Sequence, residues 1–254
     1  MEIRIESLKN NNVHLIPKLI ESGMNKDIFQ LTIFSSIGYE RYLKNLLKIP
    51  EAFRGVKLYG AFIDDKLAGY TEWRTTENHL FLNNIYVFPE YQGMGIGKSL
   101  LVKHGLQLLE ENGKSNILLD VFDNNAEAIS WYEKIGFIKK VATNWYVREQ
   151  TLLKNDTFAN ECVIENYPNA DVEHKAYGFS MLTCSTRQGV YQIGRLKNHF
   201  YRLTNIKSLN DHDLLHCLYM LDPRRKLLIM SRESFSNSFP VTLACISNRM
   251  KLKI

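Results

Sequence analysis

An α/β fold, with a mixed, mostly antiparallel sheet flanked by helices and a second, smaller α+β domain after it, is what this 254-residue sequence predicts. Three observations predict it. Short apolar stretches bounded by turn residues alternate with stretches whose apolar residues recur at helical spacing. A glycine-rich loop, PEYQGMGIGKSLL at residues 89 to 101, stands between a strand-like and a helix-like segment. All four cysteines and most of the excess positive charge lie in the last hundred residues, which sets that part off from the rest.

From Met1 to about Ile5 apolar and polar residues alternate, as in a half-buried strand, and a helical segment follows from Val13 to Ser22. Tyr42, Leu43, Leu46 and Leu47 carry a second helical pattern that Pro50 ends. KLYGAFIDDKLAGYTEW reads as two strands turning at Asp64-Asp65, an antiparallel hairpin, and HLFLNNIYVF as the next strand. After the glycine loop, Leu101, Gly105 and Leu108 form one helical column and Val102, Leu106 and Leu109 its neighbour, a stripe wide enough to pack flat on a sheet. Asn112-Gly113 closes that helix, and NILLDVF is a strand of the kind buried on both faces. In NNAEAISWYEKIGF, Asn124 with Glu127 three residues on makes a helix cap and Gly136 ends the helix. WYVREQTLL is the last strand of this part.

The polar run Lys154 to Thr157 marks a boundary between domains at 1–153 and 158–254. Beyond it, strands are expected near Gly178 to Cys184, Gly189 to Leu196 and Lys226 to Met230, with an amphipathic helix near Asp211 to Leu221. QGVYQIGRL at 188 to 196 echoes QGMGIGKSL at 92 to 100, with tyrosine where the central glycine would be.

Composition narrows the function classes. Hydrophobic residues at 45% and charged residues at 23% are ordinary globular values. No apolar run approaches the roughly 20 residues that span a bilayer, and MEIRIESLKN lacks the order of a secretion signal, so a cytoplasmic protein is expected. The net charge of +5 is diffuse: 19 basic against 18 acidic residues up to residue 154, and 13 against 9 after it. No basic cluster interleaved with aromatics points to nucleic acid. Cys162, Cys184, Cys217 and Cys245 show no Cys-x-x-Cys spacing and read as buried thiols, with no metal site expected.

The glycine loop comes close to three phosphate-binding patterns. A triphosphate loop needs glycine where Gln92 stands, and a dinucleotide fingerprint needs it where Lys98 stands. Gln-x-x-Gly-x-Gly over Gln92, Gly95 and Gly97 fits throughout. Successive inward N–H groups at a helix start form an anion cradle, and a pyrophosphate is its natural guest. Further on, Asn125, Ala128, Ile129 and Tyr132 fall at i, i+3, i+4 and i+7, lining one helical face with an amide, a methyl and a phenol.

These two motifs together, with the second continuing as Glu133-Lys134-x-Gly136-Phe137, resemble the GNAT superfamily of N-acetyltransferases over about residues 1 to 153. The resemblance implies an acetyl-CoA site in a V-shaped opening between two parallel strands, IYVF and NILLDVF. It implies that the backbone of Ile85, Tyr86 and Val87 pairs with the pantetheine arm, and that Gln92, Gly93, Met94, Gly95, Ile96, Gly97 and Lys98 take the pyrophosphate. Asn125 would contact the cofactor arm. Tyr132 would sit near the sulfur and donate to the departing thiolate, while N–H groups near Val87 stabilise the oxyanion. The family's amine attacks the thioester directly, which suits a first part without cysteine. The sequence departs from a common family pattern at Asn83 and Asn84, where a carboxylate often sits, and Glu72 on the neighbouring strand is the candidate base, with a relayed water as the alternative.

The leading expectation is an N-acetyltransferase acting on a primary amine of a small molecule or peptide. A catalytically silent acyl-CoA-binding module is the rival, kept open by Asn83 and Asn84, and a nucleotide hydrolase is a distant third. Phe29, Phe34 and Tyr39 are candidates for the acceptor pocket or for core. The second part is open to three readings: a cover over the acceptor site, a homodimer interface, or a decayed copy of the first part.

Overall fold

The computed structural model describes residues 2–150, 161–235 and 240–253. Its contacts separate two units that interleave in sequence: Met1–Lys26, Glu40–Val141 and Asn248–Ile254 form one, Asp27–Tyr39 and Ala142–Ser247 the other. The polar run read as a boundary, residues 154–157, lies outside the described residues. Besides the excursion over Asp27–Tyr39, among the described residues the chain changes unit inside β6 (Ile138–Arg148) and returns inside β12 (Thr242–Lys253). At these last two points a continuous strand serves in place of a linker, so no run of turn residues marks them.

The first unit follows the predicted order closely. It begins with β1 (Arg4–Ser7) and α1 (Ile16–Ser22); α2 (Lys26–Gln30) and α3 (Tyr39–Leu47) come next along the chain. The hairpin of β2 (Val56–Ile63) and β3 (Lys66–Thr75) turns through Asp64 and Asp65. Both aspartates have positive φ, 46° and 63°, the conformation a two-residue hairpin turn needs to match strand twist. β4 (Leu80–Val87) pairs antiparallel with β3 and parallel with β5 (Asn116–Phe122). In this unit the sheet runs β1-β2-β3-β4-β5 and then the end of β12.

The helix after the glycine loop is α4 (Ile96–Lys98), a π turn (Ser99–His104) and α5 (Gly105–Glu111) in succession. Leu101, Gly105 and Leu108 are buried as expected, but Leu106 is exposed. The wider hydrogen-bonded turn shifts the helical phase, so the neighbouring column does not face the sheet along its whole length. α6 (Ala126–Ile135) ends at Gly136 in the left-handed conformation, as predicted. Its cap is Asn125 rather than Asn124: the Asn125 carboxamide oxygen accepts the Ala128 N–H at 3.0 Å. Trp73, Leu80, Leu82, Leu101, Leu108, Ile117, Leu119, Tyr132, Phe137 and Met250 share this unit's core.

The second unit holds β7 (Val163–Ile164), α7 (Tyr167–Tyr177), β8 (Phe179–Thr186), β9 (Gly189–Leu196), β10 (Phe200–Leu203), α8 (His212–Leu221) and β11 (Lys226–Ser231). Its sheet order is β7-β8-β9-β10-β11-β6. β8, β9 and β10 are antiparallel neighbours, and β10 pairs parallel with β11 across the helix α8. The same plan joins β2, β3, β4 and β5 across α4 and α5. The segment corresponding to the glycine loop is thus the stretch before α8, residues 204–211, and not the echo at 188–196, which lies almost wholly within strand β9. Before α8 the carboxylate of Asp211 caps the helix by accepting the Leu214 N–H, and no glycine is present.

Phe29, Phe34 and Tyr39 belong to the second unit. Phe29 and Tyr39 are buried there, and Phe34 meets Tyr39 edge-on at 5.2 Å, the packing of core aromatics.

Candidate active site

The site begins where two parallel strands part. β4 and β5 pair at Leu80–Ile117, Phe81–Leu118 and Leu82–Leu119, and no pair follows, although β4 runs on to Val87 and β5 to Phe122. At the point of separation the β3–β4 register shifts: Glu72 opposes Asn84 and Trp73 opposes Leu82, leaving Asn83 as the extra residue of a β-bulge. Beyond it Ile85, Tyr86 and Val87 pair with Thr71, Tyr70 and Gly69 on one side only. Their backbone faces the gap on the side toward β5. The Tyr86 ring is turned away into the fold, lying so close to Gly23 that a Cβ there would come within 2.6 Å of it.

Gln92, Gly93, Met94, Gly95 and Lys98 are exposed, Gly97 is half-buried and Ile96 is buried. Gly93 and Gly95 have φ of 78° and 79°, which favour glycine, and no atom lies within 4 Å of where a Cβ would be on either. The cradle is therefore open above its glycines, and the first N–H groups of the following helix have no partner within it. This arrangement fits the pyrophosphate of a coenzyme A ester. Gln92 Nε2 donates to the Val87 carbonyl at 3.2 Å and ties the loop to the end of β4. The Asn125 oxygen accepts in the cap of α6, and its Nδ2 is the group that can donate to a ligand.

Tyr132 lies two turns after Asn125 and is 6% exposed. Burial pushes its phenol far above the usual tyrosine range, so it stays protonated and able to donate. Tyr86 is held protonated too, by burial first and then by the neighbouring Tyr132. Trp131, which the sequence reading passed over, packs against Gly97 at 3.4 Å from a Cβ placed there and against Tyr132 at 5.1 Å between ring centres. It joins the two motifs physically.

Glu72 is buried at 4% exposure and takes four donors. Asn83 Nδ2 reaches Oε1 at 2.8 Å and Asn84 Nδ2 reaches Oε2 at 2.9 Å. Arg74 Nη2 reaches Oε1 at 3.3 Å, and the Tyr70 hydroxyl reaches Oε2 at 3.3 Å. The bulge is what brings two consecutive asparagines onto one carboxylate, because in a regular strand they would face opposite ways. Tyr70, Glu72 and Arg74 alternate along β3 and share a face, a signal present in the sequence as a same-face acid and base two residues apart.

Residues 27–137 match the acetyltransferase (GNAT) family. The chain carries a GNAT-family domain. Among curated proteins, the GNAT domain's relatives include the ribosomal protein bS18-alanine N-acetyltransferase of Escherichia coli K12, 35% identical over 82 residues, which cover 32% of this chain and 55% of that one. The thialysine N-epsilon-acetyltransferase of Bos taurus is 31% identical over 121 residues, covering 47% and 65%. The chain thus spans about half the length of the first curated relatives it matches. A solved tandem GNAT protein from the clavulanic acid biosynthesis pathway superposes with a TM-score of 0.67 over 99% of this chain and 98% of that one, at 9% identity, which shows a shared fold. Among the described residues no helix is long and apolar enough to cross a membrane, and no group of three or more His, Cys, Asp or Glu is placed to hold a metal.

Proposed function

We propose that this protein transfers an acetyl group from acetyl-CoA to a primary amine by direct attack, without an acyl-enzyme. The observation that carries the reading is the parting of β4 from β5 at Leu82–Leu119 beside an open glycine cradle on the same strand's end. Acetyl-CoA supplies an activated acyl group and a thiol leaving group. Backbone groups of Ile85, Tyr86 and Val87 hold its arm in the gap, and the loop from Gly93 to Lys98 holds its pyrophosphate. An N–H near Val87 steadies negative charge on the carbonyl oxygen. Glu72 receives the proton that the ammonium must lose before attack, and Tyr132 donates to the sulfur as it departs. By analogy with the bS18-alanine and thialysine enzymes, the acceptor is a peptide N-terminus or a lysine-like side chain. The protein acts in the cytoplasm. The second unit, which repeats the sheet plan, is a GNAT-like copy without a cofactor slot: β10 stays paired with β11 along its whole length, and Asp211 stands where the cradle would open.

One observation favours a second reading, a catalytically silent acyl-CoA-binding module: the four donors on Glu72 fill the positions a base would use. Calorimetry with acetyl-CoA, run beside CoA release with an alanyl peptide and with thialysine, separates the two. Binding with release supports the transferase; tight binding with no release from any amine supports the silent module; no binding overturns both.

A further inference from the structure

A carboxylate offers about four lone-pair sites, and at Glu72 each oxygen already takes two donors. An incoming ammonium can reach this carboxylate only by replacing one of them. Tyr70 and Asn84 are buried, and Asn83 and Asn84 make the two short contacts. Arg74 differs in two ways: its side chain is 45% exposed, and it alone of the four carries charge. Its contact, a single N–H at 3.3 Å, is as long as that of Tyr70 and is not the two-pronged pair a guanidinium can make.

We propose that Arg74 is a displaceable cation, which holds at Glu72 Oε1 the position that the acceptor's ammonium takes. The inference rests on the transferase reading above and names the acceptor class: aliphatic amines that are cationic at neutral pH, in preference to aromatic amines that are not. Exchanging one cation for another leaves the buried carboxylate compensated throughout, whereas simple withdrawal of Arg74 would leave it uncompensated. An ammonium is compact with three rotatable donors, so it can use a site that a guanidinium meets with one N–H. Once in water, the guanidinium loses little, because a single 3.3 Å ion contact from a half-exposed side chain is weak.

The test is steady-state CoA release at saturating acetyl-CoA with thialysine as acceptor. Arg74→Ala removes the internal competitor and lowers the amine KM by roughly two- to fivefold, the range of an exposed ion pair. Arg74→Lys restores a KM near wild type. Added guanidinium chloride at non-denaturing concentration competes with the amine more strongly in Arg74→Ala than in wild type, which a purely structural role for Arg74 would not produce. Arg74→Met keeps the aliphatic bulk and carries the same expectation if the alanine variant folds poorly. Turnover in wild type with an amine KM in Arg74→Ala equal to or above it overturns this inference alone. Acetyl-CoA binding with no release from any amine in wild type overturns the transferase reading and this inference together.

Discussion

Gly105 lies directly against the indole of Trp73: a Cβ on it would stand 2.9 Å from Cη2 and 3.2 Å from Cζ2 of a ring that is wholly buried. In an exposed helix, glycine to alanine would be stabilising by about 1 kcal/mol. Here the added methyl meets a ring that the core holds on every side, and overpacking costs about 1–3 kcal/mol. The net expectation for Gly105→Ala is a loss of stability of up to about 2 kcal/mol, read as a reduced urea midpoint. A rise in the midpoint would show that helix and sheet can move apart freely. The same closeness explains why the helix after the glycine loop carries a small residue where its apolar column would otherwise be filled.

Tyr132→Phe keeps the ring among Trp131, Phe137 and the core, and removes only the hydroxyl. If the phenol donates to the departing sulfur, kcat falls by about 10²-fold or more while acetyl-CoA binding changes little. Because burial raises the phenol's pKa, no loss of activity from its ionisation is expected in the wild-type enzyme up to about pH 9. Equal kcat in the two proteins would remove Tyr132 from the chemistry and leave it as packing.

Glu51 offers a pH test of the first unit's frame. Burial works to raise its carboxyl, but hydrogen bonds donated by Ser7 at 2.5 Å and Tyr59 at 2.7 Å, together with the nearby charges of Arg54 and Lys57, outweigh this and hold it below its ordinary value of 4.5. A carboxyl depressed in the folded state contributes stability above the unfolded value, and that contribution is lost as pH falls through the folded one. The wild-type advantage over Glu51→Gln is thus expected in full at neutral pH and shrinks on acidification below about 4.5. Urea midpoints of the two proteins across that range check it; a constant difference would mean the hydrogen bonds are indifferent to charge.

Much of the first unit was legible because its signals are local. Asp64-Asp65 marks the hairpin, Gly136 the helix end, and the paired motifs at 92–98 and 125–132 the candidate site. What escaped depends on tertiary context. The β-bulge at Asn83 has no local signature, so the two asparagines looked like a missing carboxylate when they are in fact donors to Glu72. α7 buries only Ala170 along its length and has no apolar stripe to read, although proline at its start and Gly178 at its end bracket it. β12 was missed because Ser247 and Asn248, on its opposite faces, are buried as Met250 is, so polar residues break the apolar alternation.

β12 supplies the last prediction. Its final residues, from Asn248 to Lys253, belong to the first unit, where Met250 is wholly buried in the core with Trp73, Leu119 and Phe137. Arg249 grips Asp120 of β5 through two N–H groups, one of them at 2.7 Å, and its guanidinium stacks over Phe81 at 5.0 Å. Both charged groups are partly exposed, so the pair fixes register more than it adds stability; the buried methionine carries the larger share. Met250→Ala is expected to cost about 2–5 kcal/mol, the range for a large-to-small change in a packed core, and Arg249→Ala about 1 kcal/mol or less. Removing residues 248–254 exposes the edge of β5 as well as the core beneath it, an aggregation-prone combination. A truncated protein that stays soluble and keeps the wild-type urea midpoint would show that β1 to β5 form a complete sheet without the returning strand.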